Sequence, residues 1–137
     1  MRVADIMSRD VVTVGPDHDV VAVRKLFDKH GFHHLLVVLH GQLVGVISDR
    51  DVLREASPFI DTLAERPQDL ATLKKRVHQI MSRDLVVAHG DDSVADAAAV
   101  MLARRVSCLP VVTAERHVEG VVTSRDLLRA LTKVRAP

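Results

Sequence analysis

Apolar residues fall into short runs and helical stripes, and the same succession occurs twice along the chain. Val11-Val12-Thr13-Val14 is a β-branched run and predicts a strand. Gly15-Pro16-Asp17 follows as a turn, with Asp17 as the expected helix cap. Val20, Val23, Leu26, Phe27 and His30 recur at helical spacing, and Gly31 stands where a helix C-cap belongs. Leu35 to Leu39 reads as a second strand, His40-Gly41-Gln42 as a hairpin turn and Leu43 to Ile47 as a third strand. Ser48 then opens a helix expected to end near Ala56, so the first unit reads β-α-β-β-α.

The second succession is a duplicate of the first. Arg2-Val3-Ala4-Asp5-Ile6-Met7-Ser8-Arg9-Asp10 returns as Arg76-Val77-His78-Gln79-Ile80-Met81-Ser82-Arg83-Asp84, an offset of 74 residues. The offset grows to 75 after the hairpin turn, where Gly45-Val46-Ile47-Ser48-Asp49-Arg50-Asp51 matches Gly120-Val121-Val122-Thr123-Ser124-Arg125-Asp126. Over residues 2–38 and 45–54 there are 19 identities in 47 aligned positions, against about four by chance at ordinary residue frequencies. A period this long is two copies of an α/β unit rather than a solenoid. The expected organisation is repeat 1 over 1–56, a linker over 57–75 and repeat 2 over 76–137. The linker also reads as helical: Ser57-Pro58 is a cap with a first-turn proline, and Pro67 can start a helix. Leu70, Leu73, Val77 and Ile80 then share a face. Neither copy buries its sheet alone. Pairing the copies sheet to sheet around a pseudo-twofold axis covers both faces and leaves two related clefts.

Composition narrows the function classes. Lys+Arg 19 against Asp+Glu 18 leaves a formal charge of +1, which removes the usual electrostatic reason for nucleic acid or an anionic membrane. With no Trp or Tyr and three Phe, the core must be aliphatic and no broad stacking platform for bases exists. Cys108 stands alone, so no internal disulfide forms. The apolar run Leu35 to Leu39 is far too short to span a bilayer, and Met1-Arg2-Val3-Ala4-Asp5 has no signal-peptide core. A soluble cytoplasmic protein is expected.

The candidate chemistry lies at the repeated strand-to-helix corner. Free N–H groups at a helix start favour a phosphate. Arg50 and Arg125 are placed to add charge-assisted hydrogen bonds. Asp51 and Asp126 are placed to accept from a ribose cis-diol. Ser/Thr-x-x-Asp before an apolar run is equally a capping box that needs no ligand. The two readings compete for Asp51 and Asp126. The repeated Arg-Asp pair favours a ligand, because capping gives no reason for an arginine.

The β-α-β-β-α repeat, its Gly-h-h-Ser/Thr-x-x-Asp ending (h apolar) and the opening Ile-Met-Ser-Arg-Asp resemble the CBS domain, named after cystathionine β-synthase. The resemblance spans nearly the whole chain in tandem, as in a Bateman module. It implies an α/β (α+β) fold of two pseudo-twofold-related repeats. It implies an adenosine-containing regulatory ligand (AMP, ADP, ATP or S-adenosylmethionine), no catalysis and no catalytic cofactor. It implies a homodimer and, with no effector domain in the chain, an effector protein acting in trans. Its clefts take the ribose carboxylate from one repeat and a wall from the other. Carried over, Ser48, Asp49, Arg50 and Asp51 join Val86, Val106 and Ser107, while Thr123, Ser124, Arg125 and Asp126 join Val12, Phe32 and His33. Phe32-His33-His34-Leu35-Leu36 departs from the more family-like Val106-Ser107-Cys108-Leu109-Pro110, so unequal clefts are expected.

Other residues have plainer roles. His30, His33 and His34 flank a helix end and lack metal-ligand spacing, and the remaining histidines read as turn or surface positions. Cys108 reads as a small buried hydrophobe, and Met101 with Leu102 as core. No catalytic signature motif occurs. Rival readings are a protein or nucleic-acid interaction module without a small ligand, and a small hydrolase of the bound nucleotide.

Overall fold

The computed structural model describes residues 1–55, 62–71 and 74–135. In chain order its elements are α1 (Val3–Ile6), β1 (Thr13–Val14), α2 (Val20–His30), β2 (His34–Leu39), β3 (Gln42–Ser48), α3 (Asp49–Glu55), α4 (Pro67–Ala71), α5 (Val77–Ile80), α6 (Val94–Arg104), β4 (Cys108–Val112), β5 (Val118–Thr123) and α7 (Ser124–Arg135). The architecture is mixed α/β, with sheets ordered β1-β2-β3 and β4-β5. Pro67 opens α4 as expected, while the helix end at Ala56, the Ser57-Pro58 cap and Leu73 lie outside the described residues. Among the described residues no helix is long and apolar enough to cross a membrane.

The chain forms two compact units that do not follow the repeat boundaries. Unit I joins Val12–His40 to Val44–Leu85, and unit II joins Met1–Val11 and Gly41–Leu43 to the chain from Val86 onward. The opening segment of each copy therefore folds with the body of the other copy.

In unit I, β1 runs parallel to β2 with Thr13 opposite Leu36 and Val14 opposite Val37. The cap of α2 is Asp19, whose carboxylate accepts from Ala22 N at 2.9 Å. Asp17, the residue expected there, instead lies in a turn in which Gly15 N donates to His18 Nδ1 at 2.8 Å and the Arg76 guanidinium donates to the Asp17 carbonyl at 2.7 Å. Gly31 ends α2 at φ 66°, the left-handed conformation that glycine adopts without strain. Val14, Val20, Val23, Phe27, Leu35, Val37, Ile47, Val52 and Val77 close the core.

Unit II repeats the plan. Ser93 caps α6 by accepting from Asp96 N at 3.0 Å, and Arg105 ends it at φ 56° where the first copy has glycine. β4 and β5 are antiparallel with Cys108 opposite Thr123, and Ala88 makes a parallel bridge to Val111 in place of a first strand. Val3, Ala88, Ala97, Met101, Leu109, Val111 and Val122 form the core. Leu102, expected in that core, is 81% exposed. The buried face of α6 is set by Ala97 and Met101 four residues apart, and the next position turns about 100° away from it.

The exchange of segments explains the glycine of each repeated motif. Ser8 and Val121 trade two backbone hydrogen bonds of 2.9 Å, so the segment after α1 lies along β5. Ser82 and Val46 do the same at 2.8 and 3.1 Å along β3. A Cβ on Gly120 would stand 2.6 Å from the Ser8 carbonyl oxygen. A Cβ on Gly45 would collide with Met81 Sδ. Both glycines clear a crossing chain of the same unit.

Candidate functional site

Each strand-to-helix corner is a complete capping box. Ser48 N donates to Asp51 Oδ2 at 2.8 Å, and Asp51 N donates to Ser48 Oγ at 3.1 Å. Thr123 N and Thr123 Oγ1 donate to Asp126 Oδ2 at 2.9 and 3.1 Å, and Asp126 N donates to Thr123 Oγ1 at 3.3 Å. Capping therefore claims one carboxylate oxygen of each aspartate, and a ligand reading rests on the other. Asp51 Oδ1 accepts from Arg54 Nη2 at 2.5 Å. Asp126 Oδ1 makes no hydrogen bond among the described residues. Arg50 and Arg125 are exposed.

Two of the expected wall residues, His33 and Ser107, each contact the corner of their own repeat. His33 Nδ1 lies 3.0 Å from Asp49 Oδ2, and Asp49 N donates to the His33 carbonyl at 3.0 Å. Ser124 N donates to the Ser107 carbonyl at 2.9 Å. The reason is hairpin register: with Cys108 opposite Thr123, the residue before β4 must meet the residue after β5. Val12, Phe32 and His33 thus belong to the unit of the Ser48 corner, and Val86, Val106 and Ser107 to that of the Thr123 corner. Val12 packs partly buried on the unit I core. Val86 and Val106 do so on the unit II core. Phe32 is 38% exposed and stacks on His30 with ring centroids 5.1 Å apart.

Electrostatics separates the two corners further. The His33 hydrogen bond holds the Asp49 carboxyl below its ordinary range, and burial pushes His34 below the usual histidine value against the pull of Asp49. Burial lifts the half-buried Cys108 thiol to about 12, helped by the Asp126 charge. Among the described residues no cluster of three metal-ligating side chains occurs.

A cavity of about 360 Å³ opens beside Asp126, walled by Met1, Asp5 and Ile6 on one side and by Asp126, Arg129, Ala130 and Lys133 of α7 on the other. It is large enough for part of a small ligand. The sequence reading did not find Asp5, Arg129 or Lys133. The signal available was the stripe of residues three, four and seven beyond Asp126, which share one helical face.

A family model for the CBS domain matches residues 3–58 and 77–133. The chain belongs to the CBS domain family. The fold agrees with that membership: the CBS domain pair of protein MJ0100, solved in complex with 5′-methylthioadenosine and S-adenosyl-L-methionine, superimposes with a TM-score of 0.80 at 32% identity, covering 98% of each chain. CBSX2, solved in complex with AMP, gives 0.84 at 26% identity, again with 98% of each chain covered. A CBS domain-containing protein of Dictyostelium discoideum is 34% identical over 98% of this chain and 94% of its own. The L-aspartate semialdehyde sulfurtransferase of Methanocaldococcus jannaschii is 34% identical over 93% of this chain, which spans 22% of that enzyme. The chain likewise spans 45% of a further M. jannaschii relative.

Proposed function

We propose that this CBS pair is a non-catalytic regulatory module whose corners bind an adenosine-containing nucleotide and whose occupancy is read by a partner protein in trans. The observation that carries the reading is Asp126: its Oδ2 is spent on the cap, its Oδ1 makes no hydrogen bond among the described residues, and it lines a cavity. A free carboxylate oxygen on a cavity is the group a ribose diol needs. The adenosine ligands of the MJ0100 pair and of CBSX2 support the same class. The module acts as a switch only if ligand binds one arrangement of the protein more tightly than another. Leu128 and Leu131 on α7 are 62% and 61% exposed, and they support a homodimer through that helix.

The complete capping boxes favour a second reading, an interaction module with no small ligand, because both caps form without one. A thermal-shift panel of AMP, ADP, ATP, S-adenosylmethionine and NAD separates the two. Ligand at a hundredfold excess over its Kd adds about 2.7 kcal/mol of stability. Asp126→Asn is expected to remove the shift while keeping a folded protein. No shift with any member of the panel at millimolar concentration rejects the nucleotide reading in favour of the second.

A further inference from the structure

We propose that the cavity between α1 and α7 selects a phosphate-bearing adenosine ligand, and that the Ser48 corner lacks this selection; the inference rests on the nucleotide reading above. Asp126, Arg129, Ala130 and Lys133 follow one another at helical spacing and share one stripe of α7. Side chains on a helix lean towards its N-terminus, so Arg129 and Lys133 reach back along the stripe towards Asp126. Ala130, 5% exposed, forms a small floor between them and leaves the space open. Neither the Arg129 guanidinium nor the Lys133 ammonium has an ion-pair partner among the described residues.

The cavity also holds acid. Asp5 faces it, with one oxygen accepting from Arg2 N at 2.8 Å. Asp126 has one oxygen in the cap. The remaining oxygens are acceptors for hydroxyl and amino donors, as a nucleoside offers, while the two unpaired cations answer a polyanion. An adenosine carrying phosphate at one end has both features. An adenosine carrying a methylthio group uses only the acceptors.

The first copy shows what the stripe looks like without this function. The positions matching Asp126, Arg129, Ala130 and Lys133 are Asp51, Arg54, Glu55 and Pro58. Arg54 is committed to Asp51, and Glu55 accepts from Lys75 Nζ at 2.6 Å. A carboxylate stands where the floor is alanine, and proline replaces the lysine. Among the described residues of that stripe the one cation, Arg54, is already paired with a carboxylate.

Calorimetric titration of the full chain with AMP and with 5′-methylthioadenosine tests this. Arg129→Ala and Lys133→Ala are each expected to weaken AMP by tenfold or more, the loss of a charge-assisted bond to phosphate. Both variants should leave 5′-methylthioadenosine affinity within about twofold of wild type, and Arg54→Ala should leave the AMP isotherm of the Thr123 corner unchanged. Circular dichroism melts confirm that each variant is folded. Asp126→Asn weakens both ligands if the parent reading holds. If wild type binds AMP and loses it in Asp126→Asn but not in Arg129→Ala or Lys133→Ala, phosphate selection is wrong and nucleotide binding stands. If wild type binds neither ligand, both fall together.

Discussion

Gly120→Ala is expected to be the most damaging single-methyl addition in the motif. The new Cβ would meet the Ser8 carbonyl oxygen at 2.6 Å and Met7 Sδ at 2.9 Å. A sulfur at the end of a flexible side chain can swing away, but a backbone carbonyl moves only with its strand. That strand is held by the paired bonds between Ser8 and Val121, each 2.9 Å. Overpacking of this kind costs about 1–3 kcal/mol, and straining the two bonds adds up to about 1 kcal/mol each. The smaller unfolded-state entropy of alanine offsets roughly 0.4–1 kcal/mol. The net expectation is a loss of about 2–3 kcal/mol, or roughly 10 °C in Tm for a domain of this size. Gly45→Ala differs because its first neighbour is the Met81 side chain and the backbone oxygen of Ser82 stands farther off, at 3.2 Å. It should lose about 1 kcal/mol. Urea denaturation followed by circular dichroism reads both, since Trp and Tyr are absent. Double-mutant cycles add a second check: Met81→Ala should relieve most of the Gly45→Ala cost, whereas Met7→Ala should relieve little of the Gly120→Ala cost. Equal losses at the two glycines, or a Gly120→Ala loss under about 0.5 kcal/mol, would refute the crossing-chain account.

Four further perturbations have defined outcomes. Stability should fall as pH drops through the ordinary histidine range. His34 in the folded chain protonates below its usual 6.5 because of burial, so the unfolded chain takes the proton first and gains. His34→Gln should flatten this limb of a urea stability profile, and an unchanged limb would reject it. Asp49 works in a more acidic window: its folded value lies below 3.8, so its contribution is present above that and vanishes as pH falls through the folded value. His33→Ala should abolish that limb. The Cys108 thiol, raised to about 12, is ionised to only about one part in ten thousand near pH 8. Iodoacetamide should therefore label it rapidly only after unfolding, and mass spectrometry showing fast labelling of the folded chain would contradict its burial. Arg105→Gly should stabilise by about 0.5–1 kcal/mol, because arginine at φ 56° holds a left-handed conformation that glycine adopts freely; a lower Tm in that variant would mean the arginine side chain contributes more than the strain removes.

Much of the fold was legible because its signals are local. The apolar run of β2, the alternation of β3, the stripe of α2 and the glycine at residue 31 each state their element within a few residues, and the duplication repeated much of the pattern. The cap of α2 was misplaced by two residues because Asp17 and Asp19 are equally good acceptors, and only the turn from Gly15 to His18 decides between them. The exchange of the opening segments was not legible, because Ile6-Met7-Ser8 and Ile80-Met81-Ser82 are near-identical and local pattern does not say which strand each accompanies. The corner motif was legible as chemistry but ambiguous in purpose, since a capping box and a ribose acceptor use the same carboxylate. The neighbours of the corners could have been read from the hairpin: a turn at His40-Gly41 fixes which residue before β2 meets which residue after β3. What pattern alone could not give is which carboxylate oxygen remains free, because that depends on where Arg54 and Arg129 point.

The segment exchange and the corner are physically linked in each unit. Ser8 is fixed on β5 by Val121, and α1 immediately precedes it. α1 packs on α7 and contributes Asp5 and Ile6 to the cavity whose far wall is Asp126, Arg129 and Lys133. The position of that near wall is thus set by a strand crossing that a side chain at residue 120 would push apart. In unit I the same chain of contacts runs from Val46 and Ser82 to α5, which packs on α3. The glycine of each motif makes room for the segment that crosses it within the same unit. It follows that Gly120→Ala should weaken AMP even at temperatures where the variant is fully folded, while Gly45→Ala leaves AMP at the Thr123 corner unaltered. Calorimetry on both variants decides this. AMP affinity retained in folded Gly120→Ala would mean the crossing holds the fold together without positioning the site.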